Sequence, residues 1–330
     1  MLELQHLENL KKSKNLLAFS AGGDSSALLF LLLENNIKFD IAIVDYNIRE
    51  QSKDEVIYAN ELANKYNFKC FVHHAQTINS NFEAKARDIR YSFFETIISK
   101  YNYTNLLTAH HLGDRLEWML MQFCKGAGCA ELAGMRSLQK RKNYTLVRPL
   151  LNYEKEELLT FLNANANKYF EDETNQDQSY KRNSFRHKIA IPLLKEYKAG
   201  IKKSFSYIDE DVDNLVKDIK IKKINQFAYF KSSNNKRNDI YNIDKYIKTL
   251  GYIITTHERK LLKENKTSVI SRKFIINQEH GYIFIAPYTK DIKLSKEFKE
   301  KMRRLKIEPK LRFYLASDTE AVKFLSLLLA

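Results

Sequence analysis

The stretch Leu16-Leu17-Ala18-Phe19-Ser20-Ala21-Gly22-Gly23-Asp24-Ser25-Ser26-Ala27-Leu28-Leu29 decides the fold. Its apolar run over residues 16–20 reads as a strand, and residues 25–35 read as an apolar helix. Between them stand two adjacent glycines, in a chain with only nine among 330 residues. Glycine lets a backbone turn sharply and approach a ligand closely. The N–H groups and dipole at the start of the following helix favour phosphate. Ser20, Ser25 and Ser26 add hydroxyls. Asp24 would repel a phosphate unless a magnesium ion lay between them, which suits MgATP. No Gly-Lys-Ser/Thr follows, so this is not a Walker A loop, and it lacks the GxGxxG of dinucleotide folds. A tight strand-to-helix turn with a serine cap would use the same residues, so the loop alone leaves function open.

Strand and helix patterns alternate outward from this loop. Residues 39–45, 69–73 and 105–109 read as strands, and residues 54–66, 82–100 and 113–123 as helices. That alternation predicts an α/β fold: a parallel sheet with helices on both faces and ligands at the carboxyl ends of its strands. Beyond residue 200 the pattern is less regular. Helical spacing covers 204–217, 244–250 and 257–264, and residues 274–278 and 282–286 alternate around Glu279-His280-Gly281 as a hairpin. Pro192 and Gly200 bracket a break. The expectation is a domain over 1–198, followed by a mostly helical C-terminal domain over 199–330 with a small β-hairpin.

Lys and Arg number 55 against 40 Asp and Glu, a net charge of +15 with a pI near 9.4. The excess is uneven: +3 on residues 1–195 and +12 on residues 196–330, with a dense run over 293–310. Such basicity fits a nucleic-acid partner, although a chain this rich in Lys, Asn, Ile and Tyr also reads as AT-biased coding. The longest apolar run, residues 27–33, is far short of the ~20 a membrane span needs, so no membrane association is expected. No basic stretch followed by an apolar one opens the sequence. Cys70, Cys124 and Cys129 form no CxxC and no zinc spacing. A reduced, cytoplasmic protein is expected.

Five segments together carry a resemblance. The loop resembles the pyrophosphate loop, SGGxDS, of the N-type ATP pyrophosphatases, with Ala21 where the first glycine is usual. Val44-Asp45-Tyr46-Asn47-Ile48-Arg49 ends the second strand. Asn81-Phe82-Glu83-Ala84-Lys85-Ala86-Arg87 opens a long helix, and Ala109-His110-His111-Leu112-Gly113-Asp114-Arg115-Leu116-Glu117 opens another. Glu171-Asp172-Glu173-Thr174-Asn175 leads to Tyr180-Lys181-Arg182-Asn183-Ser184-Phe185-Arg186. In this order they resemble the NxEAxAR, AHHxxDxxE and EDxSNxDxxYxRNxxR motifs of the tRNA(Ile)-lysidine synthases, over roughly residues 14–195.

The resemblance implies an adenine nucleotide alpha-hydrolase-like sheet and an ATP-dependent ligase. Such an enzyme adenylates the C2 oxygen of the wobble cytidine in the CAU anticodon of tRNA(Ile). The ε-amine of free L-lysine then displaces AMP. ATP and Mg2+ are the implied cofactors, with Ser20, Ala21, Gly22, Gly23, Asp24, Ser25, Ser26 and Asp45 on the nucleotide and Asp24 on the metal. The implied catalytic set is Asp24, Arg87, His110, Asp114, Glu117, Arg182 and Arg186. Relatives also suggest a homodimer. Asp114 and Glu117, spaced i, i+3, share a helix face that can receive an ammonium group, or merely complement the helix dipole. His110 or His111 can take the proton of the attacking amine. A guanidinium fork at Arg87, Arg182 or Arg186 can neutralise developing phosphate charge. Gly113 and Arg115 stand where the family commonly has Asp and Gln, which sets a cation beside the proposed lysine pocket. Two other classes remain: a tRNA cytidine thiolase, whose chemistry usually relies on paired cysteines, and a non-catalytic tRNA- or nucleotide-binding relative.

Overall fold

The computed structural model describes residues 2–48, 51–78, 80–171, 181–290 and 292–329. They fall into two compact units, Met1–Val212 and Asp213–Ala330. In the first, strands β1 (Asn15–Ala18), β2 (Phe39–Asp45), β3 (Cys70–His74), β4 (Asn105–Leu107), β5 (Leu138–Lys140) and β6 (Thr145–Val147) form one sheet in the order β3-β2-β1-β4-β6-β5. All pairs are parallel except β5 with β6.

Alternation along the strands sends neighbouring residues to opposite faces. Leu17, Ile41, Leu107 and Val147 pack on one face against Leu28, Leu31, Tyr58, Leu62 and Leu158, from the helices Gly23–Glu34, Gln51–Tyr66 and Lys155–Ala164. Leu16, Ala42, Leu106 and Leu146 pack on the other against Phe94, Ile97 and Ile98 of the helix Phe82–Tyr101. The expected parallel sheet with helices on both faces is present. Strand order reverses at β1, so a crevice opens between the carboxyl ends of β1 and β4, where ligands of such sheets bind.

The helix Ile191–Leu215 runs through the sequence-based boundary at 198/199, and the units divide at 212/213 instead. Pro192 does not end the helical run because the turn before it, Arg186–Ala190, is a π turn, in which the α-type hydrogen bond that its missing N–H could not make is not required. The helix bends at Tyr197 (φ −121°, ψ 20°), and Gly200 continues it.

In the second unit the expected hairpin is present: β10 (Phe274–Glu279) pairs with β11 (Tyr282–Pro287), and His280 and Gly281 both adopt positive φ, as a tight hairpin turn requires. The hairpin is the centre of a larger sheet. With β7 (Lys222–Ile224), β8 (Phe227–Lys231) and β9 (Thr267–Ile270) it forms five antiparallel strands in the order β7-β8-β11-β10-β9. Helices cover both faces: Met302, Leu311 and Leu325 pack over Phe227 and Phe284, while Ile243, Ile247 and Leu262 pack over Phe230 and Ile283. Helical residues still outnumber strand residues in this unit, as expected.

Candidate active site

The Gly-rich loop joins β1 to the helix Gly23–Glu34 and is braced by its own side chains. Ser26, fully buried, donates to the Ala21 carbonyl (3.2 Å), and the Ser25 hydroxyl lies 3.1 Å from both the Ser20 hydroxyl and the Gly22 carbonyl. Of the three serines only Ser20 is exposed. The Phe170 N–H donates to the Ala21 carbonyl (2.9 Å), which pins the loop to the segment 169–171. A side chain at Gly23 would meet the tip of the Leu159 side chain at 2.7 Å, so the glycine lets Leu159 pack closely over the helix start.

Ala21 adopts φ +57°, a left-handed conformation that glycine enters freely and other residues enter at a cost. Its methyl is wholly buried in the core. Ala21→Gly therefore trades relief of about 1 kcal/mol of strain against about 0.8 kcal/mol of lost burial and a floppier unfolded chain. The expected net change in urea denaturation is within about 1 kcal/mol. A loss of more than about 2 kcal/mol would show that the strain is compensated elsewhere.

Asp24 opens the helix after the loop. One oxygen, Oδ1, is buried with no hydrogen-bond partner, and the other lies 3.9 Å from His111 Nε2. Burial raises its proton affinity, His111 opposes that, and Asp114 reinforces it. A buried, partly unsatisfied carboxylate oxygen beside a phosphate-type loop suits a hard cation. Among the described residues no group of three or more His, Cys, Asp or Glu could enclose a metal by itself. Any ion here would share its ligands with phosphate and water.

Beyond β4, the helix Leu112–Phe123 carries Asp114 and Glu117 on one buried face. Arg182 and Arg186 meet them. Arg186 Nε donates to Glu117 Oε1 at 2.6 Å, Arg182 Nε to Glu117 Oε2 at 3.0 Å, and Arg182 Nη2 to Asp114 Oδ1 at 2.7 Å. The arginines are i, i+4 on the helical run that includes Lys181–Phe185 and continues through a π turn, Arg186–Ala190. A turn of this kind precedes Pro192, whose missing N–H cannot support regular α bonding. Burial opposes ionisation of Asp114, but the His111 and His110 imidazoles, Arg182 and the His111 amide outweigh it, and the carboxyl lies below its usual range.

His110 Nδ1 lies 2.9 Å from the Thr108 hydroxyl. Burial first, then Arg148, Arg182 and Arg87, depress its pKa to about 4 against the pull of Asp114. The ring is neutral at pH 7, and its surroundings resist a proton. Between about 6.5 and about 4 the unfolded chain binds this proton and the folded chain does not, so acid costs stability in that window. His110→Gln is expected to remove part of the Tm loss between pH 6.5 and 4; an unchanged pH dependence would contradict this assignment.

Arg87 lies exposed on the helix Phe82–Tyr101, its guanidinium 4.7 Å from the Tyr91 ring centroid. Asp45, buried at the end of β2, accepts the Asn47 N–H at 2.7 Å and lies 3.1 Å from His74 Nδ1. Burial raises its carboxyl pKa, but the Asn47 amide, Ser52 and His74 hold it below the usual range. Its carboxylate is engaged in shaping the strand end.

The PP-loop domain family matches residues 2–193. The tRNA(Ile)-lysidine synthase of Helicobacter pylori is 42% identical over 315 residues, 95% of this chain and 92% of its own length. The chain belongs to the tRNA(Ile)-lysidine synthase family. The tRNA(Ile)-lysidine synthase of Campylobacter jejuni (strain RM1221) is 41% identical over 96% of this chain and 97% of its own. Among solved structures, a U34-tRNA thiolase from Methanococcus maripaludis aligns with a TM-score of 0.53 at 19% identity, covering 65% of this chain and 76% of that one. That likeness is one of fold.

The departures from the family's usual residues now have a physical reading. Arg115 does not enter the carboxylate pocket. It points to the opposite side of its helix, donating to Asp209 at 2.6 Å and to the Ala133 carbonyl at 3.2 Å, with its guanidinium 4.3 Å from the Phe205 ring centroid. Gly113 leaves room for His111: a side chain there would meet the imidazole at 2.7 Å. Of the motif before Arg182, residues 172–180 lie outside the described residues, as do Arg49 in the second motif and the Lys181 side chain.

The sequence reading missed three features. His111 caps its helix; Arg148 (5% exposed) anchors the β5–β6 segment by donating to the Arg136 carbonyl at 2.6 Å; and residues 169–171 pin the loop. The Val147-Arg148-Pro149 step gave no signal because a buried arginine cannot be told from a solvated one by residue type.

Proposed function

We propose that this protein is a tRNA(Ile)-lysidine synthase. One observation carries the reading: Asp24 of the phosphate-type loop and Asp114 of the carboxylate face both lie within 4 Å of His111 Nε2, at 3.9 and 3.6 Å. The nucleotide station and the amino-acid station are therefore neighbours. The Gly22–Gly23 loop and the helix start behind it would hold the triphosphate of ATP, and Asp24 would hold the accompanying Mg2+, which would supply neutralisation of phosphate charge. The C2 oxygen of cytidine 34 in tRNA(Ile) with a CAU anticodon attacks the α-phosphate, and pyrophosphate leaves. The ε-amine of lysine then forms the new C–N bond at C2, AMP departs with the C2 oxygen, and the amine's proton passes to a base. His110, neutral at pH 7 and of low proton affinity, is assigned as a relay that passes the proton on rather than keeping it.

Asp114 and Glu117 supply the negative charge for the lysine ammonium. Arg182, whose side chain is 37% exposed, is the partner able to yield its place and turn to phosphate. Arg87 contributes positive charge on the His110 side. The assay is direct: tRNA(Ile) transcript, MgATP and labelled lysine. Label is expected in the tRNA only when ATP is present; no incorporation into a transcript that binds would overturn the reading.

The same proposal assigns the tRNA backbone to the second unit. Lys293, Lys296, Lys299, Lys301, Arg303 and Arg304 are all exposed, five of the six on one short helix, Lys296–Arg304. Glu300 engages Arg303 at 3.0 Å and Arg304 at 3.5 Å, so the lysines carry most of the unbalanced charge. Reversing all four lysines is expected to weaken tRNA binding and flatten the slope of affinity against salt by about three to four. An unchanged slope would return the charge to compositional bias. Among the described residues no helix is long and apolar enough to cross a membrane. The Cys70 thiol, pushed up to about 11 by burial, is ill suited to the thiolate chemistry of a thiolase. The cysteines are all free, which supports a cytoplasmic setting.

A further inference from the structure

Histidine is an unusual helix cap, and here it closes a capping box. His111 Nδ1 accepts the Gly113 N–H at 3.0 Å, while the His111 N–H donates to Asp114 Oδ2 at 3.0 Å. A ring nitrogen that accepts an amide N–H carries no proton, so the neutral ring must bear its hydrogen on Nε2. The cap thus selects one tautomer. The side chain is only 7% exposed, so the ring has little room to flip. Its Nε2 points into the gap between two carboxylates, 3.6 Å from Asp114 Oδ2 and 3.9 Å from Asp24 Oδ2. The remaining Asp24 oxygen, Oδ1, is the buried one with no hydrogen-bond partner.

We infer that His111 is a positioning residue: its cap-locked Nε2–H faces one Asp24 oxygen across 3.9 Å, longer than a hydrogen bond, closes on it when MgATP binds, and leaves the other oxygen for the metal-bound triphosphate. The inference rests on the proposed nucleotide role of Asp24 and adds the device that aims it. Gly113 is part of the device. Where the family commonly carries a side chain, this chain has none, and a Cβ would lie 2.7 Å from His111 Cε1 and 3.0 Å from Nδ1. The glycine lets the imidazole lie back over the helix end.

Two variants separate positioning from simple support of the helix. Asn is a strong N-cap and can accept the same amide, but it cannot reach Asp24 as the Nε2–H does. Gly113→Ala leaves the histidine intact and displaces its ring. Both are expected to keep Tm within a few degrees while weakening MgATP binding, measured by calorimetry, about tenfold or more. The tautomer is read independently by 15N NMR of histidine-labelled protein: His111 should show a bare Nδ1 and a protonated Nε2, and Gly113→Ala should erase that signature. Unchanged MgATP affinity in His111→Asn, or a proton found on Nδ1, would overturn the inference. If Asp24→Asn binds MgATP normally, the role of Asp24 fails. The NMR result then still reports separately on the histidine.

Discussion

Asp24→Asn is expected to abolish ATP-dependent lysine incorporation, lowering the rate at least about a hundredfold. The substitution keeps shape and removes one charge. That charge stands at the start of the helix Gly23–Glu34, beside the loop, with Oδ1 buried and unbonded. Stability should move the other way. Burial, reinforced by Asp114, raises the folded pKa of Asp24 above its ordinary 3.8, so its ionised form is disfavoured by the fold at neutral pH. Above the unfolded pKa a neutral amide is free of that cost, and Tm should hold or rise. A variant that is less active yet at least as stable is the mark of a group retained for function. Full activity in Asp24→Asn, or an activity loss matched by unfolding, would contradict this account.

The second large effect is at Glu117, which is 1% exposed and accepts from Arg186 at 2.6 and 3.2 Å and from Arg182 at 3.0 Å. Glu117→Gln leaves two guanidinium groups facing Asp114 alone. Removing one member of a buried ionic cluster typically costs 3–5 kcal/mol. The exposed edge of Arg182 lets it turn to water, so a value near the lower end, about 3 kcal/mol in urea unfolding, is expected. If the carboxylate pair also receives the lysine ammonium, KM for lysine must rise far more than KM for ATP. Equal changes in both would reduce the cluster to a structural clamp.

The periodicity of residues 39–45, 82–100 and 105–109 made the sheet and its flanking helices readable, because strands buried on both faces and helices of several turns leave long apolar patterns. Strands β5 and β6 escaped, being three residues each amid Lys, Arg and Asn. The C-terminal sheet was visible only as its hairpin, since β8 pairs with β11 across a long stretch of chain, and β7 and β9, though joined to their neighbours by tight turns, are only three and four residues long. At the site, i, i+3 spacing correctly set Asp114 and Glu117 on one face. Their arginine partners lie 65 to 69 positions away, a pairing that no local pattern encodes. The direction of Arg115 was equally hidden, because its partner Asp209 is 94 positions distant.

The central claim is that the chain joins lysine to the wobble cytidine of its tRNA. The most direct test is mass spectrometry of nucleosides from tRNA(Ile) carrying a CAU anticodon, digested after incubation with protein, MgATP and lysine. The account predicts that cytidine 34 alone gains the mass of lysine less one water, and only with ATP. An unmodified cytidine 34, or one carrying sulfur when a sulfur donor is supplied, would contradict it.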